Sequence, residues 1–164
     1  MAKIYALDAN ILISFHRSYY PFDIAPGFWR QLAEKSPGRV VLLDRIKNEI
    51  IKNDDELSAW LKQHDKCFIN MSAKDVNIIA EYQRIITSVQ SNKQYKESAK
   101  REFASVADSW ICALALAYGY IVVTQEDYQP DAKKIVKIPN ICREFNIPYI
   151  NLLQFVREIG IRFD

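Results

Sequence analysis

The 164-residue sequence lacks most of the residue sets that announce a chemistry. Its three cysteines, Cys67, Cys112 and Cys142, are odd in number, far apart and without a CxxC pair, and only His16 and His64 are available to join them. This argues against a zinc site and for reduced thiols in a core. No apolar run approaches the roughly 20 residues of a membrane span, and the first residues lack the basic, apolar and small-residue order of a signal peptide. The expected setting is therefore the cytoplasm, with no membrane. Charge of one sign is lacking too. Lys and Arg total 22 against 20 Asp and Glu, so the net charge of +2 neither demands nor excludes nucleic acid. There is no GxSxG motif, no internal repeat and no linker dividing the chain.

What is present is a 49% hydrophobic chain long enough for one core, expected as a single domain over residues 1–164. Residues 4–7, 40–43 and 120–124 are brief runs of branched and aromatic residues, separated by longer helix-like segments. That alternation predicts an α/β domain with a mainly parallel sheet. Helices are expected over 25–35, ended by Ser36-Pro37-Gly38, around 57–61, and over 72–89 from a Ser72 cap. The polar stretch 88–100 reads as mobile. Residues 135–138 and 149–150 are candidate short strands, flanking a helix that Pro139 starts.

Four acidic positions stand out. In an open α/β sheet, ligands bind beyond the carboxyl ends of the strands. Asp8 follows the first strand, and Glu126-Asp127 follow the 120–124 run after a single Gln. Each also has a plain reading, Asp8 as a helix cap and Glu126-Asp127 as a solvated turn. Asp108 is the only charge in VADSWICALALAY, a segment apolar or small around nearly its whole circumference. A carboxylate buried there should be paired, protonated or bound to a cation; the alternative is a capping box with Ser105. Glu49 lies in a helix that Asp44 would cap, to the side of the Ile46 and Ile50 stripe, at a boundary that suits a cleft or plain surface. Acids converging on one pocket would repel unless cations neutralised them, and hard divalent metals with oxygen ligands do this. Phosphodiester hydrolysis follows naturally from such a site.

LDANILI at the start, Glu49 in a helix, ADSWICALALAYG over 107–119 and VVTQED over 122–127 resemble, in order and spacing, the PIN domain family, which includes the VapC-like ribonuclease toxins of prokaryotic toxin–antitoxin pairs. The tail KIPNICREFNIPYINLLQFVRE resembles an uncharacterised prokaryotic PIN-like subfamily. The resemblance implies a three-layer α/β/α PIN-like fold around a parallel sheet and a nuclease that cleaves RNA with Mg²⁺ or Mn²⁺, leaving 5′-phosphate and 3′-hydroxyl ends. Asp8, Glu49 and Asp108 match the acids of its metal site. Glu126 stands where the pattern usually has Asp, so Glu126 or Asp127 is the fourth ligand. Asn10 would orient Asp8 or water, and Thr124 would bond to a carboxylate or substrate. An antitoxin and a homodimer are the implied partners, although Trp29, Trp60 and the tyrosines can equally be core.

Two clusters of cations, Lys93, Lys96, Lys100 and Arg101, then Lys133, Lys134 and Lys137, would contact RNA phosphates or be solvated surface, and Tyr95 or Tyr128 would stack on an unpaired base. An aspartate-based phosphatase or receiver is disfavoured. DANIL lacks the second Asp two residues on, and no Thr/Ser-then-Lys pairing is evident. PDAKK has no following E-x-K of a restriction-type core. A catalytically silent PIN-like module binding RNA or protein is the other alternative.

Overall fold

Tyr5, Ala6 and Leu7 are all buried, as are Val40 to Leu43, and this absence of alternation is what strands covered on both faces require. A computed structural model describes residues 2–164, in which five strands form one parallel sheet: β1 (Tyr5–Leu7), β2 (Val40–Leu43), β3 (Ile69–Met71), β4 (Ile121–Val123) and β5 (Tyr149–Ile150). Their spatial order is β3-β2-β1-β4-β5, with Tyr5 in register with both Val40 and Ile121.

The connections carry α1 (Ala9–Ser14), continued by a π-helical turn over Phe15–Tyr19, then α2 (Pro26–Lys35), α3 (Asp44–Ile51), α4 (Glu56–His64), α5 (Val76–Ser91), α6 (Glu97–Ser105), α7 (Ala107–Tyr118), α8 (Ile138–Glu144) and α9 (Leu152–Ile159). One helical layer is aromatic. Phe15 packs on Phe28 at 4.7 Å and on Phe155 of α9 at 6.3 Å, and Phe155 meets Tyr5 of β1 edge-on at 5.4 Å. In the other, α7 packs against α5, α6 and α8 and lies on β1 and β4. The result is the expected three-layer α/β/α architecture.

Order along the sheet matters for function. The chain steps outward from β1 to β2 and β3, then returns across the sheet to β4, so β1 and β4 are neighbours whose connections leave in opposite directions. This switch point opens a crevice at their carboxyl ends. α7 runs back towards the start of β4, which puts its first turn at the same edge; Gly119, at φ +73°, ends it in a left-handed conformation that costs a residue without a Cβ little.

Several local expectations are corrected. α5 begins at Val76 and is capped by Asp75, whose Oδ1 accepts from Asn77 and Ile78 N–H groups, not by Ser72. Asp44 is the first residue of α3 instead of its cap, and its carboxylate accepts from Ser72 Oγ and Ala73 N, tying α3 to the turn after β3. The stretch 88–100 is not a mobile loop. It holds the end of α5 and the start of α6, with Tyr95 buried and Gln94 Nε2 donating to Pro130 O and Ala132 O at 2.8 and 2.6 Å. Residues 135–138 make no strand, because Ile138 opens α8. Edge strand β3 has no sequence signal of its own: its three residues are half-buried or exposed.

The three thiols are free, with Cys112 and Cys142 buried where α7 meets α8 and Cys67 half-buried. Contact with Cys142 and burial both push the Cys112 thiol well up, which keeps it neutral.

Candidate functional site

Asp8 is placed by β1. Its N–H continues the sheet by donating to Val123 O at 3.1 Å, its backbone leaves in an extended conformation, and α1 starts at the next residue. The side chain does not cap α1. It is 2% exposed, and Oδ1 has no hydrogen-bond partner. An unpartnered buried carboxylate oxygen is costly, and Oδ1 is left free to meet water, a proton or a cation. Asp8 is pushed up to about 8, first by burial and then by the charges of Asp108, Glu126 and Glu49; the nearby Asn10 N–H works in the opposite direction.

Asp108 is in the first turn of α7, and the capping box is absent. Val106 occupies the cap position without a side-chain bond, and Ser105 Oγ donates instead to Glu102 O. Asp108 is pushed up to about 6 by burial and by Glu126, Glu49 and Glu102, with Lys137 pulling it down. Glu126 is raised by burial, and is partly restrained by the Ile138 N–H, which donates to its Oε2 at 3.2 Å, and by Lys137. Its position is set by Thr124, buried at the end of β4, whose Oγ1 accepts from Glu126 N at 3.2 Å. Glu49 is exposed on α3, at the rim.

Asn10, Glu49 and Asp108 line one small pocket of about 160 Å³ together with Glu102, an acid the sequence reading passed over. Glu102 sits on α6, six residues before Asp108, and only the turn between α6 and α7 brings the two together. Thr124, Glu126 and Asp127 line a separate pocket of about 430 Å³. The charge of Glu126 acts on Asp8 and Asp108 alike, whereas Asp127 is exposed. A concavity of about 820 Å³ beside α5 and the end of α8 contains none of these acids.

The donor set is hard. All candidate ligands are carboxylate oxygens with no thiolate or imidazole among them, which matches Mg²⁺ or Mn²⁺ better than zinc. Among the described residues no three His, Cys, Asp or Glu side chains form a ready-made ion cage. The geometry therefore suits an ion held by one or two carboxylates with water completing its shell, and the orphaned Oδ1 of Asp8 fits that role.

The two cationic segments run together, since Lys96 N donates to Lys133 O at 2.9 Å. Lys93, Lys96, Arg101, Lys133 and Lys134 are exposed. Lys100 is committed to Gln90 O at 2.9 Å, and Lys137 is half-buried beside the acids. Of the two tyrosines considered for stacking, Tyr95 is buried and unavailable; Tyr128 is 38% exposed, with the Arg143 guanidinium 4.0 Å above its ring.

No curated protein matches the sequence. Among solved structures, the chain is similar to one in the crystal structure of VapBC2 from Rickettsia felis bound to a DNA fragment from their promoter, with a TM-score of 0.58 and 14% identity over 90% of this chain and 98% of that one. At that identity the likeness establishes the fold, which is PIN-like, and nothing about activity. The sequence model described as "Domain of unknown function (DUF4411)" matches residues 5–163, and the chain belongs to that family.

Proposed function

We propose that the protein is a metal-dependent endoribonuclease of the PIN type. The observation that carries this reading is the buried, unpartnered Oδ1 of Asp8 at the β1/β4 switch point, surrounded by the charges of Asp108, Glu126 and Glu49. Asp8 and Asp108 would hold a divalent ion, Mg²⁺ or Mn²⁺, with Glu126, Glu49 and water as further donors. Bound there, such an ion would supply Lewis-acid chemistry for hydrolysis of an RNA phosphodiester. The chain's own residues do the rest. Thr124 fixes Glu126 through its backbone, Asn10 at the pocket mouth orients water or Asp8, and Lys137 limits repulsion among the acids. Exposed cations on the joined 93–101 and 133–134 segments attract the RNA backbone.

The resemblance to VapC-like toxins, together with the fold shared with a VapBC2 chain, supports a place in a toxin–antitoxin pair, with an antitoxin as protein partner and a homodimer as the assembled form. The deciding experiment is incubation of the purified chain with a mixed RNA pool in Mg²⁺ or Mn²⁺ and in EDTA. Cleavage confined to the metal samples and lost in Asp8→Asn and Asp108→Asn is expected; full activity in either folded variant would sink the assignment. The absence of a ready-made cage among the described residues favours a second reading, a silent PIN-like module that binds RNA or protein. Mn²⁺ titration separates the two, because the silent module shows no saturable binding that Asp8→Asn removes.

A further inference from the structure

Beside the acidic pocket lies a larger one of about 580 Å³, between α3, the turn after β3 and the α6–α7 junction. The two share Glu49 and Val106 in their walls, so they adjoin. Their charges differ. The larger pocket is lined by Arg45, Lys52 and Lys74, against Asp44 and Glu49. Among the described residues none of the three cations is in an ion pair, whereas the Asp44 carboxylate is already engaged by Ser72 and Ala73. Arg45 is also held in place. Its guanidinium lies 4.5 Å from the centre of the Trp110 ring, which is itself stacked on Tyr82 at 3.8 Å, and Tyr82 is anchored by its hydroxyl to Ala104 O at 2.9 Å. Such a guanidinium has little freedom still to lose on binding, and its planar fork matches a phosphate.

We infer that the pocket formed by Arg45, Lys52 and Lys74 is a phosphate subsite, which seats a backbone phosphate of a single-stranded RNA next to the one presented to the acids. The inference rests on the proposed nuclease reading for its choice of polymer, but on its own residues for its location. The subsite sets where the strand lies, so that one linkage along it reaches Asp8 and Asp108, whose own charges would repel the backbone. None of the three cations belongs to the clusters at 93–101 or 133–137, so this attraction is separate from theirs.

The test measures binding, not cleavage. A fluorescent, short single-stranded RNA of mixed sequence is titrated by anisotropy with the full Asp8→Asn chain, alone and carrying Lys52→Glu and Lys74→Glu, over a range of salt. Both lysines are exposed, so folding should be kept, and thermal melting verifies it. Reversal of two of the three charges around that phosphate is expected to weaken binding at least about ten-fold and to lower the salt slope by about 0.7, the value for one phosphate contact on a single strand. A control chain with Lys62→Glu and Lys66→Glu carries the same change in net charge on two other exposed lysines outside the pocket and should bind as its parent does. Unchanged affinity in the pocket variant overturns the inference and leaves the cations to a protein partner, and so does an equal loss in the control. Failure of the nuclease reading looks different: the unsubstituted chain then cleaves no RNA in Mn²⁺, while lysine-dependent RNA binding would still uphold the subsite.

Discussion

Ile138 N–H donates to Glu126 Oε2 at 3.2 Å, so the first residue of α8 holds the fourth acid in its place beside Asp8 and Asp108. At a position where the resembled PIN pattern usually has Asp, the longer Glu side chain reaches a backbone donor that stabilises its charge against burial.

Glu126→Asp keeps the charge and removes one methylene, which leaves the carboxylate short of Ile138 N. The expected cost is about 1.5–3 kcal/mol of stability, the usual range for a hydrogen bond to a charged group. Urea denaturation in EDTA measures it, and a variant as stable as the parent would show that the bond does little.

Asp8 should make the ion-free protein less stable as pH rises. Its ordinary value is 3.8 and its folded value about 8, so the folded state binds the proton more tightly. Stability from this group is complete below about pH 4 and is lost progressively up to about pH 8, at no more than about 1.4 kcal/mol per pH unit. Asp108, pushed up to about 6, adds in the same direction over the lower part of that window. Melting temperatures in EDTA should therefore fall from pH 5 to pH 8 in the unsubstituted chain and fall much less in Asp8→Asn, which cannot ionise. Parallel curves for the two chains would refute the assignment of this dependence to Asp8.

Adding Mn²⁺ should raise the melting temperature, and more at pH 8 than at pH 5.5, because protons compete with the ion for the same oxygens. At an ion concentration of about a hundred times the dissociation constant the gain is about 2.7 kcal/mol. Differential scanning calorimetry of the parent and Asp108→Asn checks this, the variant being expected to gain little at either pH.

Tyr95 and Tyr128 should behave oppositely. Tyr95 is 7% exposed, and Tyr95→Ala is expected to cost about 3 kcal/mol in chemical denaturation. Tyr128→Ala, at a half-open position beneath Arg143, should leave stability within about 0.5 kcal/mol. If Tyr128 stacks on a base, the same change weakens binding of single-stranded RNA several-fold, as anisotropy would show.

Much of the fold was legible because its elements are defined by neighbours in sequence. Runs of branched and aromatic residues over 4–7 and 40–43, an α7 segment apolar on nearly all sides, and Ser36-Pro37-Gly38 after α2 each declare themselves within one element. The misses are of another kind. β3 is short and half-exposed at the edge, so it carries no period. The stretch 88–100 is polar enough to look mobile, but its order comes from the burial of Tyr95 and from Gln94 bonding to Pro130 O and Ala132 O, far away in sequence. Glu102 carries no signal in the sequence, and Lys137 reads only as one of a cluster that contacts phosphates or solvent; the α6–α7 turn and the start of α8 bring both to Asp108.

By itself the sequence determined the local frame: an acid at the end of β1, a single acid in an otherwise apolar helix, and strands apolar without alternation, which need cover on both faces. Only the tertiary structure decided that Asp8 is buried without a partner, that Asp108 does not cap, and that Arg45, Lys52 and Lys74 share a pocket with Glu49. The reason is physical. Hydrophobic period and capping act over a few residues, while the field at a carboxylate depends on every charge within a few ångströms, and those charges arrive from separate elements through the order β3-β2-β1-β4-β5.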